Sequence, residues 1–97
     1  MEKKKLTEPK DIGLSEQVEI CKIDGKLIRF IKNPSLAAQS EACRNTWKAI
    51  KYIENPSLDA QAIACRANWK AIKYIKNPSL GAIEEACRLN PIARLYV

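Results

Sequence analysis

Cysteine recurs every 22 residues along this chain, at Cys21, Cys43, Cys65 and Cys87, without an insertion between copies. The strings IRFIKNPSL, IKYIENPSL and IKYIKNPSL repeat at the same interval and end at Leu36, Leu58 and Leu80. Lys10-Asp11-Ile12-Gly13-Leu14 lies in register with Lys32-Asn33-Pro34-Ser35-Leu36, so a degenerate first copy precedes them. A fixed period in the twenties marks a stacked array, in which no unit buries its apolar face alone. The expected fold is all-α: a small right-handed α-solenoid of four 22-residue helix-pair repeats, at about 11–32, 33–54, 55–76 and 77–97. Residues 1–10 are expected to form a flexible basic tail.

The second repeat, Asn33 to Glu54, shows how one unit is built. Asn33 before Pro34 reads as an N-cap with proline at the first helical position, where its missing N–H does no harm. Leu36, Ala37, Gln39, Ser40 and Cys43 fall close to helical spacing, and Ala37, Ala38 and Ala42 allow close helix approach. Asn45 or Thr46 then breaks and recaps the chain before Trp47-Lys48-Ala49-Ile50-Lys51-Tyr52-Ile53. Helices this short are marginal in water, so packing between repeats must hold them. The outer copies are atypical: Gly25 and Pro91 stand where Trp47 and Trp69 do, and Asn90-Pro91 starts the last helix.

The cysteines occupy one slot, in ICK, ACR, ACR and ACR, which assigns them to the seam between helices as small hydrophobes. A metal site is not expected, since the chain has no histidine and no CxxC, and a stack spreads equivalent thiols along a line. Nor is catalysis. There is no histidine and no glycine-rich phosphate loop, and the arginines beside Cys43 and Cys65 cannot accept a thiol proton, which leaves only Glu41 or Glu85 as a base. No cofactor is implied.

No run of about 18 apolar residues is present, so no membrane span is expected. MEKKKLTEPK has lysines but no apolar segment behind them, unlike a secretory signal, and a cytoplasmic location is expected. A net charge of +6 favours an acidic partner and argues against mimicry of DNA, which needs an acidic surface.

A 100° wheel of the second helix puts Ala49, Ile50 and Ile53 on one side, Lys48 and Lys51 opposite, and Trp47 and Tyr52 on the flanks. Trp69, Lys70, Lys73 and Tyr74 copy this in the third repeat. Arg29, Lys51, Lys73 and Arg94 read as one basic ladder, and Lys26, Lys48 and Lys70 as a second. Stacked repeats turn these into a stripe, the candidate partner-binding surface. The bland alternative is a solvated face copied by duplication, with Trp47 and Trp69 as half-buried plugs between repeats. Arg44 and Arg88 belong to another set, which Glu41, Glu84 and Glu85 support within their helices by about 0.2–0.5 kcal/mol a pair.

The pattern NPSLxAQxxACRxNxxAIKYIxNPSL resembles short helical repeats of phage, mobile-element and giant-virus proteins, many of unknown function, over roughly residues 10 to 97. In those repeats the cysteine slot is commonly another small or branched hydrophobe. The resemblance implies a fold more than an activity, and raises a phage-encoded inhibitor of a bacterial defence system such as CRISPR. Three functions stand as expectations. One is a non-catalytic binder of an acidic protein surface, the Trp, Tyr and Arg chemistry being that of protein hot spots. Another is a single-stranded nucleic-acid module, in which bases stack and phosphates pair. The last is self-association into a homo-oligomer through the C-terminal run Ile92-Ala93-Arg94-Leu95-Tyr96-Val97.

Overall fold

The computed structural model describes residues 8–97. Two kinds of helix alternate along it. The α-helices are α1 (Leu14–Ile23), α2 (Leu36–Asn45), α3 (Leu58–Ala67) and α4 (Leu80–Leu89). Each is followed by a 3-10 helix: η1 (Gly25–Phe30), η2 (Trp47–Tyr52), η3 (Trp69–Tyr74) and η4 (Pro91–Tyr96). The second helix of each unit is therefore the tighter kind, with three residues per turn rather than 3.6.

One extended residue joins the two helices of a unit. Asp24, Thr46, Asn68 and Asn90 have φ near −155°, and each donates its backbone N–H to the carbonyl four residues back, closing the α-helix. The same side chain accepts from the N–H two residues ahead, capping the 3-10 helix: Lys26 at 3.0 Å, Lys48 at 3.3 Å, Lys70 at 3.0 Å and Ile92 at 3.0 Å. Asn90-Pro91 thus starts the last helix as expected.

Asn33-Pro34 does not start α2. Proline disfavours the α conformation in the residue before it, and Asn33 instead turns through the left-handed region at φ 50°. Ser35 is the cap, its Oγ accepting from Ala38 N–H at 3.1 Å. Ser57 and Ser79 cap α3 and α4 in the same way. The buried face of α2 shifts accordingly: Ala38, Gln39, Ala42 and Cys43 point inward, while Leu36 is 69% exposed and Ala37 faces solvent.

Units touch only their neighbours. Each α-helix packs on the α-helices beside it and on the 3-10 helices of its own and the preceding unit, giving a body 53 × 21 × 17 Å. Alanines fill the α–α seams: Ala38, Ala42, Ala60, Ala64, Ala82 and Ala86 have no exposed surface. Ile28, Ile50 and Ile72 from the 3-10 helices, with Cys21, Cys43 and Cys65, complete the core. The expected tail falls largely on residues 1–7, outside the described residues. Lys10 is docked, accepting from Lys32 N–H at 2.8 Å and donating its own N–H to Phe30 at 2.9 Å in a parallel bridge with Ile31.

Buried polar contacts lock the stack. Gln17, Gln39 and Gln61 are at most 7% exposed. Each side-chain oxygen accepts the N–H of the next unit's capping serine, Ser35, Ser57 or Ser79, at 2.8 Å. Each amide nitrogen donates to a carbonyl of its own unit's loop: Ile12 at 2.8 Å, Pro34 at 3.2 Å and Pro56 at 3.0 Å. The first junction carries a further bridge, Asn45 accepting from Gly25 N–H at 2.8 Å and donating to Lys22 O at 3.0 Å. Gly25 is required there, because a Cβ would run into the Ala42 carbonyl oxygen. No buried side-chain polar atom lacks a partner among the described residues.

Candidate macromolecule-binding face

The 3-10 helices carry Lys26, Arg29, Lys48, Lys51, Lys70, Lys73 and Arg94 and not one carboxylate. The α-helices, by contrast, carry Glu16, Glu19, Glu41, Asp59, Glu84 and Glu85. The α-helices also hold Lys22, Arg44, Arg66 and Arg88, so their charge is mixed, whereas that of the 3-10 helices is positive only. In a 3-10 helix residues three apart eclipse one another, which aligns Lys48 with Lys51 on one edge and Trp47 with Ile50 on another. Tyr52 shares the third edge with Ala49.

Within the stripe the cations play two parts. Arg29, Lys51 and Lys73 lie between rings. Arg29 stands 4.8 Å from the Phe30 centroid and 5.2 Å from that of Tyr52 in the next unit. Lys51 stands 5.8 Å from Tyr52 and 5.3 Å from Tyr74. Lys73 stands 5.8 Å from Trp69 and 4.7 Å from Tyr96. Each cation therefore bridges its own unit to the next by attraction to ring faces. Trp47 and Trp69 are half-buried, and each leans on the tyrosine of the next unit, Tyr74 at 6.3 Å and Tyr96 at 6.2 Å. The tryptophans are inter-repeat packing.

Lys26, Lys48 and Lys70 are exposed and pair with no carboxylate among the described residues. Arg94 departs from the expected ladder. It follows Ile72 by 22 residues and so fills the slot of the buried isoleucines, while Leu95 takes the slot of Lys51 and Lys73. Of the other arginines, Arg44 pairs with Glu41 at 3.3 Å, and Arg66 and Arg88 converge on Glu85 at 3.0 and 2.8 Å. Those two hydrogen-bonded guanidiniums hold the Glu85 carboxyl below the usual carboxylate range. The Arg66–Glu85 pair crosses a junction, so Glu85 links α3 to α4 beyond its part in α4 itself.

Burial pushes the Cys43 thiol up to about 12, with the Cys21 and Cys65 sulfurs on either side adding to it. Cys21 rises to about 11, from burial and then the Glu41 carboxylate, and Cys65 to about 11, from burial and then Glu85. All three are protonated at neutral pH and belong to the core. A cleft of about 440 Å³ has Lys32, Gln39, Tyr52 and Glu54 in its walls, and a shallower one of about 330 Å³ has Cys43 beside Arg44 and Arg66.

A further row on the surface is apolar. Leu14, Leu36, Leu58 and Leu80, the first residue of each α-helix, are 69%, 69%, 70% and 78% exposed. Their period of 22 was visible, but their place ahead of the buried face follows only from the serine caps. Comparison with family models, curated proteins and solved structures returned no match.

Proposed function

We propose that this chain is a non-catalytic macromolecule-binding protein that engages an acidic protein surface through the face built by its 3-10 helices. The observation that carries this is the row of exposed Lys26, Lys48 and Lys70, free of carboxylate partners among the described residues and on the same 3-10 helices as the ring-bound Arg29, Lys51 and Lys73. Regularly spaced ammonium groups attract carboxylates over about a Debye length, and the flanking tyrosines add contact area of the kind found in protein hot spots. Single-stranded nucleic acid is the weaker reading, because base stacking needs open ring faces. Tyr74 and Tyr96 each already have a lysine and a tryptophan beside them. Cys21, Cys43 and Cys65, buried and protonated, supply no nucleophile, which supports a role without catalysis. Blockade of a bacterial defence complex, the role raised by the resemblance, is one use of such a face.

Fluorescence anisotropy with a labelled oligo-glutamate peptide and a labelled oligothymidine tests this. Saturable peptide binding that Lys48→Glu with Lys70→Glu abolishes, at unchanged circular dichroism, is the expected result. Peptide binding that survives both substitutions removes the stripe from consideration. Tighter capture of oligothymidine transfers the assignment to nucleic acid.

A further inference from the structure

The outward faces of the first and fourth units differ from the interior junctions in matched ways. Interior junctions place alanine at positions 38, 60 and 82, and the equivalent residue of the first unit is Glu16. Glu85 meets Arg66 across the third junction, and its equivalent in the first unit is Glu19. The first unit thus presents two carboxylates on the side where a preceding unit would stand. The fourth unit does the converse. Arg94 fills the slot of Ile28, Ile50 and Ile72, and Arg88 fills the slot of Arg66. Arg88 and Glu19 fill the slots that meet as Arg66 and Glu85, and Arg94 lies on a 3-10 helix of the kind on which the next unit's α-helix, that of the Glu16 slot, packs.

The apolar slots agree with this. Lys51 and Lys73 reach forward onto the tyrosine of the next unit. Leu95 occupies that slot in the fourth unit and is 81% exposed, and the tyrosine slot of the first unit holds Phe30. Phe30 lines an apolar groove of about 230 Å³ with Ile12, Ile20 and Leu27. Ile83 likewise replaces the clamping glutamine of the earlier units. A polar outward face is the usual way to keep a terminal repeat soluble. Here polar slots have become apolar opposite an apolar groove.

We propose that the chain associates head to tail with a second copy of itself, the Arg88, Arg94 and Leu95 face of one molecule docking on the Glu16, Glu19 and Phe30 face of the next. The junction continues the internal stacking, with Arg88 and Glu19 in the places of Arg66 and Glu85. Such an interface is heterologous and does not close on itself, so assembly is open-ended rather than dimeric.

Sedimentation equilibrium of the full chain, from low micromolar to millimolar concentration, tests this. The weight-average mass should rise through and beyond the dimer. Arg94→Glu alone and Glu16→Lys with Glu19→Lys alone should each remain monomeric with native circular dichroism. Mixed in equal amounts, the two variants should associate again into pairs, because the native Arg88 and Arg94 face of one variant meets the native Glu16 and Glu19 face of the other. A wild-type chain that stays monomeric throughout, a wild-type mass that levels off at two copies, or charge variants that associate as the wild type does would each overturn the proposal. These outcomes are independent of Lys48 and Lys70, so they leave the proposed binding face untouched.

Discussion

The two sides of the stack are held by different chemistry. On the α-helix side, neighbouring units meet through alanine, cysteine and a glutamine whose every hydrogen bond is made in the dark. On the 3-10 side they meet through lysine or arginine resting on aromatic rings at the surface. A buried polar contact is worth little when made and much when broken, because its partners cannot fall back on water. An exposed cation–ring contact loses little when broken, because water replaces it. The inner set therefore fixes register, and the outer set has latitude to exchange its contacts for a partner's.

Alkaline pH should expose this difference most strongly. The buried thiols keep their protons up to about pH 11–12 in the folded chain, whereas unfolded cysteine releases its proton near pH 8.5. Above that value the unfolded state binds fewer protons than the folded one, so stability is complete below about pH 8.5 and falls as pH rises. Urea midpoints should decline between pH 7 and about pH 9.5, below the ordinary lysine range, and Cys43→Ala should decline less steeply from its own lower starting point. A flat profile would mean that the thiols are not sealed from water.

Next in size is Gln39→Leu, which keeps the side chain's bulk and removes both of its hydrogen bonds. Ser57 N–H and the Pro34 carbonyl lose their partner, at a cost of about 2–3 kcal/mol in urea unfolding. Smallest is Lys51→Met, which keeps the aliphatic stem and removes the charge between Tyr52 and Tyr74, at about 0.5–1 kcal/mol. If the two substitutions cost the same, the distinction between inner and outer contacts fails.

Much of the architecture was legible, because a period of 22 with proline and asparagine at its joints leaves few ways to fold. What was less legible turns on single atoms. Ser35 rather than Asn33 caps α2, since the proline between them constrains the asparagine and its hydroxyl reaches the Ala38 N–H. Gln17, Gln39 and Gln61 share the period of the cysteines, and a polar residue kept in a core slot was the available sign of a clamp. The 100° wheel misplaced the flanks of the second helix, because a 3-10 helix turns by 120° per residue and only backbone hydrogen bonds reveal which kind forms. Arg94 was read onto the cation ladder by its charge, where counting 22 from Ile72 places it elsewhere. The tryptophans kept both readings open in sequence, since the tyrosine each one leans on lies 27 residues further along.

The single-residue joint between each α-helix and its 3-10 helix has an evolutionary corollary. Asp24, Thr46, Asn68 and Asn90 each end one helix and cap the next, so an added residue there would uncouple two caps at once. The other connection in each unit, such as Ile53 to Ser57, runs outside both helices. Length variation among descendants of this array should collect at Glu54-Asn55 and its equivalents, ahead of the Pro56 carbonyl and Ser57 N–H that the buried glutamines hold, and a foreign peptide is best grafted there.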